Sequence, residues 1–331
     1  MRLADLIGQD RATSALGRAV RGGHVPHAYL FEGPAGVGKR SAAIALAMAL
    51  DCAVAPGEGC GACETCRRIQ AGLHPDVPTI ASTAVSSQIV IDDIKQVVAL
   101  AQSRPHEAPA RVIVIDGADA MNANAANGLL KTLEEPAPRN HLVLCSAAPE
   151  RLPPTIRSRT QRVRFRALGP EALLAIAATH GLPRERAEVA VALADGSAAR
   201  MLETAASDDT SAWQSVEELR AAVTAPGMSA AFDTAAGFGG ERTKEGKQEL
   251  PRLVGLLARL YRDALVTAAG APELALLAER ARALAAVGPA RLCRALDAIV
   301  EADTALVANV NPTLALERLV LALKRREGIA G

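Results

Sequence analysis

Two segments of the chain carry residues suited to phosphate chemistry, and the first is a glycine-rich loop. Gly33-Pro34-Ala35-Gly36-Val37-Gly38-Lys39 has the spacing of a loop whose backbone N–H groups bind phosphate, with the lysine placed to reach the outer phosphates. Arg40 follows, where such loops carry a Ser or Thr that gives its hydroxyl to Mg²⁺. The expected nucleotide-binding residues of this loop are Gly33, Gly36, Gly38, Lys39 and Arg40.

The second segment is the acidic partner of this loop, and it is incomplete. Residues 112–116 have the pattern of a buried strand that ends in Asp116, but Gly117 follows where an ATPase of this kind carries a glutamate base. We expect no intrinsic ATP hydrolysis and no bound Mg²⁺. A more specific hypothesis, which the sequence alone leaves open, is that Arg40 pairs with Asp116 in place of the metal. Asp119 is expected to cap the next helix. The alternative is a loop that only turns the chain and never binds ATP or ADP.

Four cysteines form a separate candidate site. Cys52, Cys60, Cys63 and Cys66 have the spacing C-x(7)-C-x(2)-C-x(2)-C in a glycine-rich segment that allows tight turns. Four thiolates complete a tetrahedral Zn²⁺ shell, so the predicted zinc is structural and has no position for a catalytic water. The alternative is four unliganded thiols in a loop. His74 is not needed as a ligand, and we expect it at the surface or as a cap.

Composition excludes several classes of protein. The 331 residues include 37 Lys and Arg against 36 Asp and Glu, so no overall field directs the chain to DNA or to a membrane. Aromatic residues are only 2% of the chain, too few for a base-stacking surface. No apolar run is long enough to cross a bilayer, the first residues lack the apolar core of a signal peptide, and the cysteine pattern suits a reducing compartment. We expect a cytoplasmic protein without membrane contact.

Alternating strand and helix patterns in the first half predict a parallel sheet covered by helices. The predicted strands are 28–32, 111–115, 142–145 and 162–166, and the predicted helices are 41–50, 91–102 and 125–133. From Gly169 onward helical periodicity dominates, with helices predicted at 171–179, 185–193 and 198–205 and a polar stretch at 237–246. We predict an α/β domain at 1–167 with the cysteine module at about 52–66, a small helical lid at 168–207 and an all-α domain at 208–331.

Taken together, these residues resemble those of bacterial clamp-loader subunits of the AAA+ type, most closely the delta-prime kind of DNA polymerase III, over nearly the whole chain. Leu6-Ile7-Gly8-Gln9 resembles the adenine-side entry motif, and the run LLKTLEEP at 129–136 is the most specific match. The cysteine segment resembles the family's zinc module. Asn309-Val310-Asn311-Pro312, followed by Leu314, Leu316 and Glu317, resembles the collar helices through which the subunits form a ring. The resemblance implies a P-loop AAA+ domain, a lid and a collar domain.

The resemblance also assigns roles to single residues. Ser146 corresponds to the polar sensor position and Arg200 to the lid arginine, and both matter only where nucleotide binds; the alternatives are a strand-end hydroxyl and a solvated arginine. The run 155–160 resembles the Ser-Arg-Cys motif, with Thr160 in place of the cysteine. Arg159 is then the catalytic arginine finger, which acts in trans on ATP held by a neighbouring subunit. The alternative is an arginine that is solvated or paired with an acid.

Three further arginines alternate with apolar residues along the last predicted strand. Arg162, Arg164 and Arg166 either contact DNA phosphates or reflect the ordinary alternation of a half-buried strand, and the second interpretation is favoured.

The function that the resemblance implies is a clamp-loader ring subunit that lends Arg159 to a motor subunit and does not hydrolyse ATP itself. The implied partners are the gamma/tau motor subunits, the delta subunit, the sliding clamp and, through the complex, primer-template DNA. Two alternatives stay open. One is an active motor ATPase of the gamma/tau type, against which Arg40 and Gly117 argue. The other is a zinc-dependent DNA-binding module, which lacks a basic helix because only Arg67 and Arg68 flank the cysteines.

Overall fold

The computed structural model describes residues 2–81, 88–135, 137–206, 210–239, 246–307 and 310–328. The chain divides into two compact units, one comprising Met1–Ala172 with Gly196–Ala199 and the other Leu173–Asp195 with Arg200–Gly331. The predicted α/β domain lies inside the first unit. The second unit contains most of the predicted lid together with the predicted collar, and the boundary between those two at residue 207 stays a prediction.

A five-stranded parallel sheet forms the first unit, which confirms the predicted fold class. Its order is β2-β3-β4-β1-β5. The strands are β1 (Ala28–Glu32), β2 (Thr79–Ala81), β3 (Arg111–Asp116), β4 (Asn140–Ser146) and β5 (Gln161–Arg164). All four predicted strands are present. The strand β2 was not predicted, because three residues at a sheet edge are too few to carry a periodic pattern.

Helices cover both faces of this sheet. Those of the first unit are α1 (Asp10–Arg21), α2 (Lys39–Asp51), α3 (Glu64–Gln70), α4 (Ile91–Gln102), α5 (Ala123–Glu134) and α6 (Pro154–Ser158). Successive strand residues point to opposite faces: Tyr29 and Phe31 pack in the core with α1 and α2, whereas Ala28 and Leu30 pack in the core with α4 and α5. Because all strands are parallel, their carboxyl ends meet at one edge of the sheet.

The remaining helices form the second unit, where no strand occurs among the described residues. They are α7 (Pro170–Thr179), α8 (Arg184–Leu193), α9 (Ala198–Ala206), α10 (Thr210–Thr224), α11 (Ser229–Gly239), α12 (Gly246–Ala268), α13 (Ala278–Ala285), α14 (Pro289–Val307) and α15 (Pro312–Glu327). Both α7 and α9 begin in the first unit. One apolar core joins α8 and α10 through α15. Asn311 caps α15. Most of the predicted polar stretch at 237–246 lies outside the described residues. None of the described helices is both long and apolar enough to cross a membrane.

Candidate functional site

The glycine-rich loop joins β1 to α2 as predicted. Gly38 caps the start of α2 in a left-handed conformation, with φ of 99°. A Cβ atom on Gly33 would lie 2.1 Å from the carbonyl oxygen of Phe165, and one on Gly36 would lie 2.1 Å from Oγ of Ser197. Two of the three glycines are therefore required by close contact with other parts of the same unit, in addition to any role in binding phosphate.

Lys39 is bound by the loop itself. Its Nζ donates hydrogen bonds to the carbonyl oxygens of Gly33 and Pro34, both at 2.6 Å, and its side chain is buried. Burial lowers the pKa of Lys39, although the nearby carboxylate of Asp116 acts in the opposite direction. An ammonium group has three donors, so the two carbonyls leave one for any further acceptor. The backbone N–H of Ala199 also donates to the carbonyl of Gly36, at 3.2 Å.

The expected ion pair between Arg40 and Asp116 is not formed. Arg40 is exposed on the first turn of α2, and no ion pair within 4.0 Å joins these two described residues. Asp116 ends β3 and is partly buried. The prediction was wrong because the ion pair requires the Arg40 guanidinium to fold back over the loop and lose part of its hydration. An exposed arginine keeps its charge hydrated and avoids that cost in free energy.

The turn after β3 is held by Asp119, whose predicted role as a helix cap was also wrong. Its Oδ1 accepts a hydrogen bond from the backbone N–H of Ala147, at 2.9 Å, which ties this turn to the end of β4. Asn122 caps α5 instead, since its side chain accepts from the N–H of Ala125. Gly117 has φ of 76°, and a Cβ atom there would meet nothing within 4 Å.

The strand ends bring some of the predicted nucleotide residues together. Ser146 is fully buried at the end of β4, and its carbonyl accepts from the N–H of Gly33 at 3.2 Å. Because β3, β4 and β1 are neighbours, Asp116, Ser146 and the loop lie at one edge of the sheet. Arg200 belongs to the second unit, where its Nη1 lies 2.5 Å from a carboxylate oxygen of Asp195.

The four cysteines converge, and their geometry fits Zn²⁺. The Sγ atoms of Cys52 and Cys63 are 3.8 Å apart, those of Cys60 and Cys66 are 3.9 Å apart, and all four lie within 4.8 Å of one another. With Zn–S bonds of about 2.3 Å, two sulfurs of a tetrahedron are separated by about 3.8 Å. A disulfide requires only about 2.05 Å. These distances therefore match a zinc shell and not disulfides.

Local structure places each thiol. Cys52 follows the last turn of α2, and Cys63 caps α3, accepting a hydrogen bond from the N–H of Cys66. Backbone N–H groups of Ala62 and Cys63 lower the pKa of Cys60 to about 6, which favours the thiolate that a metal binds.

His74 is buried, so the surface alternative was wrong, whereas the capping alternative agrees with a hydrogen bond that its side chain accepts from the backbone. Its Nδ1 accepts a hydrogen bond from the backbone N–H of Asp76, and its Nε2 lies 3.4 Å from a carboxylate oxygen of Glu107. The histidine holds the loop before β2 and is not needed by the four cysteines.

Arg159 lies directly after α6, at the surface of the first unit. Its Nη1 donates to the carbonyl of Thr155 at 3.1 Å, and its Nη2 lies 2.7 Å from Oε1 of Glu134, the last residue of α5. The arginine side chain keeps 37% of its surface exposed. Thr160 is buried, and its hydroxyl donates to the carbonyl of Ile156. The pairing with an acid, which the sequence left open, is present in the single chain.

A buried carboxylate binds two of the three arginines in the segment 162–166. Glu32 is 7% exposed, and its oxygens lie 2.6 Å from Nη2 of Arg162 and 2.8 Å from Nε of Arg164. The backbone N–H of Arg166 donates to the side chain of Gln9. A groove of about 630 Å³ runs between α1 and β5 along these side chains. Sequence reasoning had not predicted Glu32 as their partner, because the residues are 130 and 132 positions apart.

Comparison with known proteins agrees with this geometry. Residues 8–169 match the family model described as DNA polymerase III, delta subunit. The chain is 36% identical over 179 residues to the DNA polymerase III subunit gamma/tau of Mycobacterium tuberculosis, and 41% identical over 134 residues to the DNA polymerase III subunit delta' of Pseudomonas aeruginosa. Residues 8–169 of this chain are therefore similar to clamp-loader subunits of DNA polymerase III.

The similarity to these family members is partial in length. The match covers 53% of this chain and 30% of the gamma/tau protein, and 40% of this chain and 41% of the delta' protein. Among solved structures, the gamma subunit-related protein of Thermotoga maritima overlaps with a TM-score of 0.40 and 18% identity, covering 96% of this chain and 100% of that one. The similarity to clamp-loader subunits rests on the sequence matches and not on this overlap.

Proposed function

We propose that this chain is a ring subunit of the DNA polymerase III clamp loader, of the delta-prime type, that does not hydrolyse ATP and supplies Arg159 to a neighbouring ATPase subunit. The observation that carries the proposal is a contrast between two sites in one unit. Arg159 is partly exposed directly after α6. The chain's own loop has Arg40 in place of the hydroxyl that binds Mg²⁺ and Gly117 in place of the base.

The guanidinium suits this role for electrostatic reasons. It carries a permanent positive charge and a planar fork of five N–H donors, which stabilises the negative charge that spreads over the oxygens of a phosphoryl group during transfer. This contribution needs no metal or base in the chain that donates the arginine. The motor subunit would supply Mg²⁺, the base and the bound ATP.

The chain's own loop is proposed to retain a structural role. Gly36 contacts the 196–199 segment, and Lys39 is bound by two loop carbonyls, so the loop is already filled by protein contacts. Binding of ATP or ADP there would require these contacts to change. We propose that any such binding proceeds without turnover.

The four cysteines are proposed to hold a structural Zn²⁺. Cys52, Cys60, Cys63 and Cys66 would complete the tetrahedral shell and connect the end of α2 to the start of α3. The ion would contribute folding free energy and no step of the reaction.

The proposed partners are the gamma/tau motor subunits, which hold the ATP, and the delta subunit, the sliding clamp and primer-template DNA within the same assembly. The match to delta' relatives supports this set.

Reconstitution with motor subunits, delta and clamp tests the proposal. Arg159→Ala should lower DNA-stimulated ATP hydrolysis, because removal of an arginine finger costs on the order of 10³-fold at the one site it serves, while sites served by other subunits continue. Lys39→Ala should leave the rate within about twofold of the wild-type assembly, because this loop contributes no turnover.

A motor ATPase of the gamma/tau type is the second candidate, favoured by the 36% identity to gamma/tau relatives and by the presence of Lys39. It predicts the reverse result, in which Lys39→Ala abolishes a large share of the hydrolysis. That outcome would replace the proposal above with this one.

A further inference from the structure

An ion pair with Glu134 orients Arg159, the proposed finger. Glu134 ends α5, and Arg159 follows α6, so the pair connects the ends of two neighbouring helices. The second contact of the guanidinium is to the carbonyl of Thr155, one turn earlier in the same segment. Arg159 therefore contacts a carboxylate through one nitrogen and a backbone oxygen through another.

These two contacts leave most of the guanidinium available. The carboxylate lies at Nη2 and the carbonyl at Nη1, so three of the five N–H donors are left for a third partner. Both side chains are partly exposed, 37% for Arg159 and 50% for Glu134. An exposed pair of this kind is weak, so it orients the arginine without preventing it from meeting a more highly charged phosphate.

The neighbouring residue Glu135 provides a contrast within the same sequence. It is also exposed and carries the same charge, but the described part of the chain contains no ion pair that includes it. The long-range effect of removing a negative charge here is nearly the same for either residue, whereas the effect on the orientation of Arg159 belongs to Glu134 alone.

We propose that Glu134 is a positioning residue for the arginine finger: its carboxylate orients the Arg159 guanidinium so that the free donors face the phosphate bound by the adjacent subunit. This inference rests on the proposed function of Arg159. It gives a chemical role to Glu134, the first glutamate of the run LLKTLEEP, in addition to the role proposed for Arg159.

The test uses full-length chain assembled with motor subunits, delta and clamp, and compares Glu134→Gln with the matched control Glu135→Gln. Glu134→Gln should lower kcat for DNA-stimulated ATP hydrolysis at the site served by this chain by about tenfold, because a misplaced catalytic group loses much of its effect. The KM for ATP should stay within about twofold, since ATP is bound by the other subunit. Glu135→Gln should match the wild type.

A second measurement separates positioning from a general effect on folding or assembly. In the Arg159→Ala background, Glu134→Gln should have no further effect on kcat, because the group it positions is gone. A further loss of kcat in the Arg159→Ala background would overturn the inference. So would a Glu134→Gln variant, in the otherwise wild-type chain, whose kcat equals that of Glu135→Gln or exceeds that of the wild type.

Failure of the proposed function gives a different pattern. If Arg159→Ala itself leaves the rate unchanged, the finger assignment is wrong, and the role of Glu134 is refuted with it. If Arg159→Ala lowers the rate and Glu134→Gln does not, only the inference about Glu134 fails. Size-exclusion of each assembly verifies that all variants enter the ring, so the rates compare complete complexes.

Discussion

At the scale of single residues, a buried ion pair holds the segment that enters β3. Asp76 is fully buried and accepts hydrogen bonds from the backbone N–H groups of His106, Glu107 and Ala108. Its Oδ1 also lies 2.8 Å from Nη2 of Arg111. Burial alone would raise the pKa of Asp76, but these donors stabilise the carboxylate and lower its pKa to about 2.

We predict that Asp76→Asn destabilises the protein by about 3 to 5 kcal/mol at pH 7, because it leaves the buried guanidinium of Arg111 without its charge partner. The depressed pKa fixes the pH dependence: the contribution of the carboxylate is complete above about pH 4 and is lost as the pH falls through about 2. The measurement is urea unfolding of wild type and variant from pH 7 to pH 2.

The control for this prediction is Asp92→Asn, which removes an exposed carboxylate paired with Lys95. It should change the unfolding free energy by less than about 1 kcal/mol. An Asp76→Asn variant as stable as this control, or one whose deficit does not shrink at low pH, would contradict the assigned role of the buried pair.

At the scale of elements, the sequence predicted the strands well because their apolar runs are continuous. Residues 112–115 and 142–145 are buried on both faces of a parallel sheet, and such strands need no alternation to be found. Helix α4 was predicted with the correct bounds, and α2 began two residues earlier than predicted since Lys39 and Arg40 of the loop are already helical. The edge strand β2 carried too short a pattern.

Topology explains how much of the candidate site was predictable. The loop, Asp116 and Ser146 come together because parallel strands end at one edge of the sheet, and the sequence predicted a parallel sheet although not its strand order. The partners of charged side chains were not predictable: Glu134 with Arg159 and Glu32 with Arg162 depend on how separate elements pack, and no local pattern encodes them.

The cysteine module is an element that the proposed Zn²⁺ would stabilise. Helix α3 has only seven residues, too short to be stable alone, and its cap is the Cys63 thiol. We predict that Cys63→Ser lowers the zinc content from about one ion per chain to near zero and lowers the unfolding free energy by several kcal/mol. Plasma emission spectrometry and hydrogen exchange of residues 52–70 measure both effects.

Cys293→Ser is the matched control, because this exposed cysteine lies in the second unit, outside the cluster. It should keep full zinc content and wild-type stability. Wild-type protein that is free of zinc when purified under reducing conditions would contradict the metal site altogether.

At the scale of the whole molecule, the chain has some of the residues that ATP hydrolysis requires and lacks others. The first unit carries the fold of a nucleotide-binding domain and a partly exposed arginine, but Arg40 and Gly117 stand where two catalytic groups belong. The second unit contributes a helical core without strands among its described residues. Under the proposed function, such a molecule would take part in ATP hydrolysis only together with a subunit that supplies the missing groups.

We predict that the isolated chain releases no phosphate from ATP and Mg²⁺ above the level of its Lys39→Ala variant. The variant Arg40→Thr should restore a hydroxyl for the metal. ATP with Mg²⁺ should then raise its melting temperature by a few degrees more than ATP with a chelator, because binding that uses Mg²⁺ adds about 1 kcal/mol to the free energy of unfolding. Hydrolysis should still be absent, because Gly117 provides no base. Arg18→Thr, at an exposed position of α1, is the control and should show no magnesium-dependent shift. Phosphate release by the wild-type chain that Lys39→Ala abolishes would show that the loop is a working site and would refute the division of the reaction between subunits.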